Sequence, residues 1–149
     1  MSFDIRSIKL GKDVTAEDIA EDLEFLDDWE ERYRYIIDLG KQLPGLPDDL
    51  KTEDRFVRGC QSQVWLETDY DRAADTFYLA VDSDALIVKG LAAIVLSALN
   101  QQSPQGIHEY DMEGFFERID LLGHLSPTRG NGLRAMVAKI KQQAAQLAA

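Results

Sequence analysis

TFYLAVDSDALIVKGLAAIVLSAL, residues 76–99, decides the fold of this 149-residue chain, because its apolar residues change period halfway along. Phe77, Leu79 and Val81 alternate with other residues, the two-residue period that places one side of a strand on a core. From Ala85 to Leu99 only Lys89, Gly90 and Ser97 interrupt the apolar run, which is too long for a strand. It predicts a helix buried on most of its circumference and lying across a sheet. Asp82-Ser83-Asp84, three good capping residues, separate the two patterns.

Towards the N-terminus, Val64-Trp65-Leu66-Glu67-Thr68 reads as a partner strand, and the polar residues 71–75 form the turn of an antiparallel hairpin. Phe56-Val57-Arg58 is expected to add a short strand that turns through 59–62. Pro44-Gly45-Leu46-Pro47-Asp48-Asp49 is a loop. Before it, Trp29, Tyr33, Ile36, Ile37 and Leu43 stripe a helix over about residues 28–43. Thr15 offers the N-cap of an earlier helix bearing Ile19, Leu23 and Leu26. Residues 1–14 show no sustained period and read as a poorly ordered lead-in.

Towards the C-terminus, Asn100-Gln101-Gln102 ends the buried helix and Ser103-Pro104 opens a short one. Residues 112–122 direct Phe115, Phe116, Ile119 and Leu122 inward, and 133–147 form a last amphipathic helix. Gly130-Asn131-Gly132 reads as the loop that starts it, with Arg129 beside it as a weak candidate for an anion site. The order predicts an α+β fold: one compact domain over residues 1–149, a small antiparallel sheet packed by helices.

Composition narrows the chemistry. One cysteine rules out an internal disulfide, and with two histidines it cannot supply a structural zinc site or a thiolate-bound cluster. The net charge of −11 opposes phosphate backbones and anionic lipid, so neither nucleic acid nor membrane is expected as a partner. The charge is uneven: residues 126–149 hold four bases and no acid, and a solvated helix surface explains them most simply, ahead of intramolecular docking or a partner's face. The apolar run is too short and too interrupted to span a bilayer, the N-terminus carries no apolar signal core, and a cytoplasmic location with a reduced thiol is expected.

Cys60 is the candidate nucleophile. Arg55 and Arg58, five and two residues before it, are expected to favour its thiolate. Gly59 permits a sharp turn at a loop tip, and Gln61, Ser62 and Gln63 offer neutral hydrogen bonds to a bound sulfur. The competing readings are a small buried hydrophobe and a Cys-His hydrolase using His108 or His124. His108-Glu109 with Asp111 matches no metal-site spacing, and Trp29 and Trp65 suit core or interface anchors.

Gly59-Cys60-Gln61-Ser62-Gln63-Val64-Trp65 resembles the cysteine loop of the SufE family of sulfur acceptors, which includes the CsdE proteins. Three further blocks agree in order and spacing: 29–33 with 35–40, 82–85 with 87–91, and 125–129 with Gly132-Leu133. The resemblance implies a fold similar to the IscU scaffold with the cysteine on a loop tip. It implies that Cys60 takes persulfide sulfur from a SufS- or CsdA-like cysteine desulfurase, stimulates that enzyme, and donates the sulfur to a SufB-containing scaffold complex or another acceptor. Such a protein is a sulfurtransferase-like carrier rather than a free-standing catalyst, and it needs no cofactor and no metal. Gly59, Gln61, Ser62, Gln63, Asp84 and Arg129 carry over as loop-support or recognition residues. A desulfurase-activating module with a structural Cys60 is the alternative. Because a sulfane sulfur is easily lost, the tip is expected to rest on apolar surface until a partner docks.

Overall fold

In the computed structural model, which describes residues 3–148, the hairpin forms as its periodicity requires. Strands β1 (Val64–Asp71) and β2 (Thr76–Ser83) pair antiparallel, from Val64 opposite Ser83 to Asp71 opposite Thr76. Phe77, Leu79 and Val81 are buried. At the turn, Asp75 takes a positive φ of 51° and accepts a 2.7 Å hydrogen bond from the Tyr70 hydroxyl. Six helices surround the pair: α1 (Ala16–Glu24), α2 (Trp29–Lys41), α3 (Leu86–Leu99), α4 (Pro104–Glu109), α5 (Met112–Arg118) and α6 (Pro127–Ala148).

Helix α3 is the central element, with every residue from Gly90 to Leu99 buried. Each large aliphatic side chain removed from water there contributes about 1.5–3 kcal/mol. It packs on β2 and on α2, and the two helices meet almost backbone to backbone: a Cβ on Gly40 would lie 2.5 Å from the Gly90 nitrogen.

Asp82-Ser83-Asp84 do not cap this helix as expected. Its N-cap is Ala85, with no side-chain cap bond. Asp82 is drawn instead into the β2–α3 corner, accepting from the N–H groups of Leu46 at 2.9 Å and Ser83 at 2.8 Å, with Lys51 and Lys89 each 3.5 Å away. Burial pushes its carboxyl up, but those two N–H groups and two lysines outweigh it and hold the pKa below the usual aspartate value. Asp84 accepts from Gln63 N–H at 3.0 Å. Tertiary donors compete successfully with the helix end for both carboxylates.

Both edges of the hairpin are closed. Beside β1, Val57 N–H donates to Val64 O and Leu66 N–H to Arg55 O, each at 2.8 Å. The expected strand at 56–58 is therefore reduced to one bridge, Phe56 opposite Trp65. Beside β2, Phe77 N–H donates to Gln102 O at 2.9 Å, and the Asn100 side chain accepts from Leu79 N–H at 2.8 Å.

The reading of residues 1–14 as a poorly ordered lead-in is corrected for residues 3–14; residues 1 and 2 lie outside the described part. Ile8 and Leu10 are buried, and their carbonyls accept from Gln101 Nε2 at 3.1 Å and Asn100 Nδ2 at 2.8 Å. Arg6 pairs with Asp69 at 3.0 Å and Asp71 at 3.3 Å. Thr15 then caps α1 in a reciprocal capping box with Asp18.

Helix α6 starts at Pro127, not near 133, and Gly130-Asn131-Gly132 lie within it. Ser126 caps it, its Oγ accepting from Arg129 N–H at 3.2 Å and its carbonyl from Gly130 N–H at 2.9 Å. The helix's cations are not simply solvated. Arg134 pairs with Glu113 at 2.7 Å, Lys139 donates to the carbonyls of Asp54 and Phe56, and Lys141 to those of His108 and Tyr110. Arg129 is the one α6 cation without a hydrogen bond or ion pair from its side chain among the described residues. No helix among the described residues is long and apolar enough to cross a membrane.

Candidate functional site

Cys60 sits at the tip of an arm, residues 52–63, that climbs from the loop after α2, crosses the edge of β1 and enters it at Val64. Gly59 takes a φ of +91°, a conformation glycine adopts without strain, and so turns the chain just before the cysteine. On the far side, Asp84 holds Gln63 N–H, and Gln63 O accepts from Asp84 N–H at 3.4 Å. The β2–α3 corner thus fixes one foot of the tip.

The thiol points down rather than out. Its Sγ lies 3.4 Å from Gly132 O and donates to it, and Cys60 is half-buried. A Cβ on Gly132 would stand 3.3 Å from that sulfur, a tight contact that the absence of a side chain here avoids. Gly132 has an ordinary negative φ, so close approach rather than backbone conformation explains a glycine here. The small recess around the sulfur, about 20 Å³ or room for about one water, is walled by Val88 and Leu91 of α3 and by Leu133 and Met136 of α6. Gln61, Ser62, Thr128 and Arg129 complete it. The tip rests on apolar surface, as expected.

The expected effect of the two arginines is corrected. Arg58 is turned to Glu53, and Arg55 pairs with Glu67 at 3.1 Å, so both guanidiniums are spent on carboxylates. Burial pushes the Cys60 thiol pKa up. In this seat the sulfur is a protonated donor; as a thiolate it would face a carbonyl oxygen with nothing to donate.

Neither histidine lines the recess. His124 stacks on Trp29 with ring centroids 4.0 Å apart, and its Nδ1 lies 3.1 Å from Asp120 O. Near His108, Glu109 bonds Gln105 Nε2 at 2.9 Å, and Asp111 caps α5 through Gly114 N–H at 3.0 Å. Among the described residues no group of three or more His, Cys, Asp or Glu is arranged to hold a metal ion. Trp65 lies edge-on to Phe56, 5.9 Å between centroids, under the arm.

Of the residues singled out from sequence, Cys60, Gln61, Ser62 and Arg129 meet at the recess, while Gly59, Gln63 and Asp84 shape the tip that enters it. Sequence reasoning missed Gly132 and the apolar walls. Val88, Leu91, Gly132 and Leu133 all lie in the matched blocks, and the helical spacing of Gly132, Leu133 and Met136 was concealed by reading Gly130 and Gly132 as loop.

Residues 17–144 match the family described as SufE, Fe-S metabolism associated domain. The chain is 45% identical over 128 residues to an uncharacterized SufE-like protein of Rhizobium meliloti, covering 85% of this chain and 91% of that one. An uncharacterized SufE-like protein of Rhizobium etli is also 45% identical over 128 residues, 85% of this chain and 86% of its own. The solution structure of a hypothetical protein from Thermus thermophilus superposes with a TM-score of 0.71 at 22% identity, covering 88% of this chain and 93% of that one, and shares the fold. With the family match spanning the hairpin, the cysteine arm and the helix beneath it, the chain belongs to the SufE family.

Proposed function

We propose that this protein is a sulfur carrier for iron–sulfur cluster assembly, with Cys60 as the sulfur-bearing residue. The observation that carries the reading is the seat of the chain's single thiol: half-buried at the tip of a short arm, on the carbonyl of a helical glycine, with no histidine in its recess. Transpersulfidation needs no more than a thiol that can be presented. The Cys60 thiolate attacks the terminal sulfur of a donor persulfide, the donor's S–S bond breaks, and the donor leaves as a thiolate while Cys60 holds the new S–S bond. No oxidant and no metal enters, and the second transfer repeats the exchange with Cys60 as donor.

Family membership supports a cysteine desulfurase of the SufS or CsdA type as the donor, with turnover stimulated by removal of its sulfur. It supports a SufB-containing scaffold or another acceptor downstream, in the cytoplasm. One cysteine suits relay, whereas a thiolate-ligated cluster needs several. Asp84 and Arg129, at the foot and rim of the tip, are the residues to contact the desulfurase. The half-burial of Cys60 favours one second reading, a non-covalent desulfurase activator in which the thiol is structural. Incubation with a desulfurase and cysteine labelled in its sulfur separates the two. The carrier reading expects label on the wild type, removed by reductant, and none on Cys60→Ser; equal label on both would end it. Full stimulation of the desulfurase by unlabelled Cys60→Ser would favour the activator.

A further inference from the structure

Three contacts lie in order along one stripe of α6. Gly132 underlies Cys60, Ala135 lies 3.3 Å from where a Cβ on Gly59 would stand, and Lys139 underlies residues 54–56. The spacing i, i+3, i+7 puts the three on one helix face over about 10 Å. Cys60, Gly59 and residues 54–56 thus meet α6 in reverse chain order, so arm and helix run antiparallel, side by side.

The two ends of this track are held differently. At the tip, the cysteine makes one weak thiol contact to a carbonyl. At the base, the Lys139 ammonium donates to Asp54 O at 3.0 Å and Phe56 O at 2.7 Å. Such charge-assisted bonds are roughly twice as strong as neutral ones. Among the described residues no carboxylate lies within ion-pair distance of this ammonium, whose partners are the two carbonyls. Burial lowers its pKa, opposed by Asp54 and reinforced by Arg58. Lys139 is partly buried, and the two carbonyls offset the desolvation of its ammonium.

We propose that Lys139 is a positioning residue for Cys60: it is the fixed end on which the arm turns, so that the tip alone leaves and regains its seat on Gly132 while residues 54–56 stay on α6. The β1 side of the arm is tied separately, through Val57 and Leu66 N–H, so loss of Lys139 frees the arm from α6 without unpairing it from the sheet. The thiol then leaves its seat more often.

Lys141 supplies a matched control. It clasps two carbonyls in the same way, His108 O at 3.3 Å in the last turn of α4 and Tyr110 O at 2.9 Å just beyond it. The rate of Cys60 alkylation by iodoacetamide is measured on the native full chain, alongside the thermal midpoint. Lys139→Met is expected to alkylate about tenfold faster, the factor corresponding to loss of the stronger tether. Lys139→Arg, which keeps paired donors, is expected within about twofold of wild type, as is Lys141→Met despite a lowered midpoint. A Lys139→Met rate within about twofold of wild type, or an equal acceleration in Lys141→Met, would overturn the proposal. If Lys139→Met does not fold, Lys139→Gln is judged by the same limits. The relevance of the pivot to sulfur uptake rests on the carrier reading, but alkylation needs no sulfur donor. A wild type that took no label would defeat that reading while the alkylation rates still decided the pivot.

Discussion

At the scale of one residue, the site turns on Gly132 and the sulfur above it. Glycine inside a helix costs about 1 kcal/mol relative to alanine, so Gly132→Ala should leave the thermal midpoint close to wild type. The new methyl would nonetheless crowd Sγ from 3.3 Å. Cys60 alkylation is therefore expected to accelerate severalfold, and an unchanged rate would mean that the tucked thiol is not the ground state. Burial also sets a pH signature. Because the folded thiol titrates above its ordinary value, its contribution to stability is complete below a free thiol's pKa of about 8.5 and is lost as pH rises through the folded value. The alkylation profile should accordingly be displaced to alkaline pH in the native protein and return to the free-thiol value in urea. Cys60 and its polar neighbours were legible in sequence, being one cysteine in a distinctive stretch. The discharge of Arg55 and Arg58 onto Glu67 and Glu53 was not, because nearness along a chain does not say which way a side chain turns.

At the scale of elements, the corner between β2 and α3 and the start of α6 hold the tip from its two sides. Asp82 knots the first, gathering Leu46 N–H, Ser83 N–H, Lys51 and Lys89. Since its folded pKa is depressed, the stability it provides is fully present above the ordinary aspartate pKa of about 3.9 and is lost as pH falls through the folded value. Asp82→Asn should cost about 2 kcal/mol at neutral pH and flatten the acid limb of a thermal-midpoint titration. A variant with the wild-type acid limb would show that another carboxylate carries it. The hairpin and α3 were legible because their hydrophobic periods are unambiguous. The corner was not: three capping residues before an apolar run describe a helix start, and only the folded chain brings Gln63 and Leu46 to compete for the two carboxylates. The start of α6 was missed for the complementary reason, because two glycines signal a loop by propensity while both lie within the helix, one of them against Cys60.

Across the whole molecule, the N-terminal segment closes the end of the core and the cysteine arm occupies another part of the surface. Residues 3–14 were illegible because their partners, Asp69, Asn100 and Gln101, lie far along the chain and the segment has no period of its own. Deleting residues 1–11 takes the buried Ile8 and Leu10 out of the core and orphans the Asn100 and Gln101 amides, a loss of about 3 kcal/mol. The thermal midpoint should drop by about 10 °C with sulfur uptake by Cys60 preserved, and a parallel loss of uptake in protein still folded would tie this segment to the site. The net charge of −11 is consistent with a protein whose contacts are with other proteins rather than phosphate backbones. Within that acidic body, three α6 cations are spent on internal partners, leaving Arg129 at the recess. Intact-mass measurement after incubation with a desulfurase and cysteine decides whether Cys60 carries sulfur. The expected result is a gain of one sulfur atom, reversed by reductant and located on the Cys60 peptide; an unchanged mass in protein that still binds and stimulates the desulfurase would rule the carrier role out.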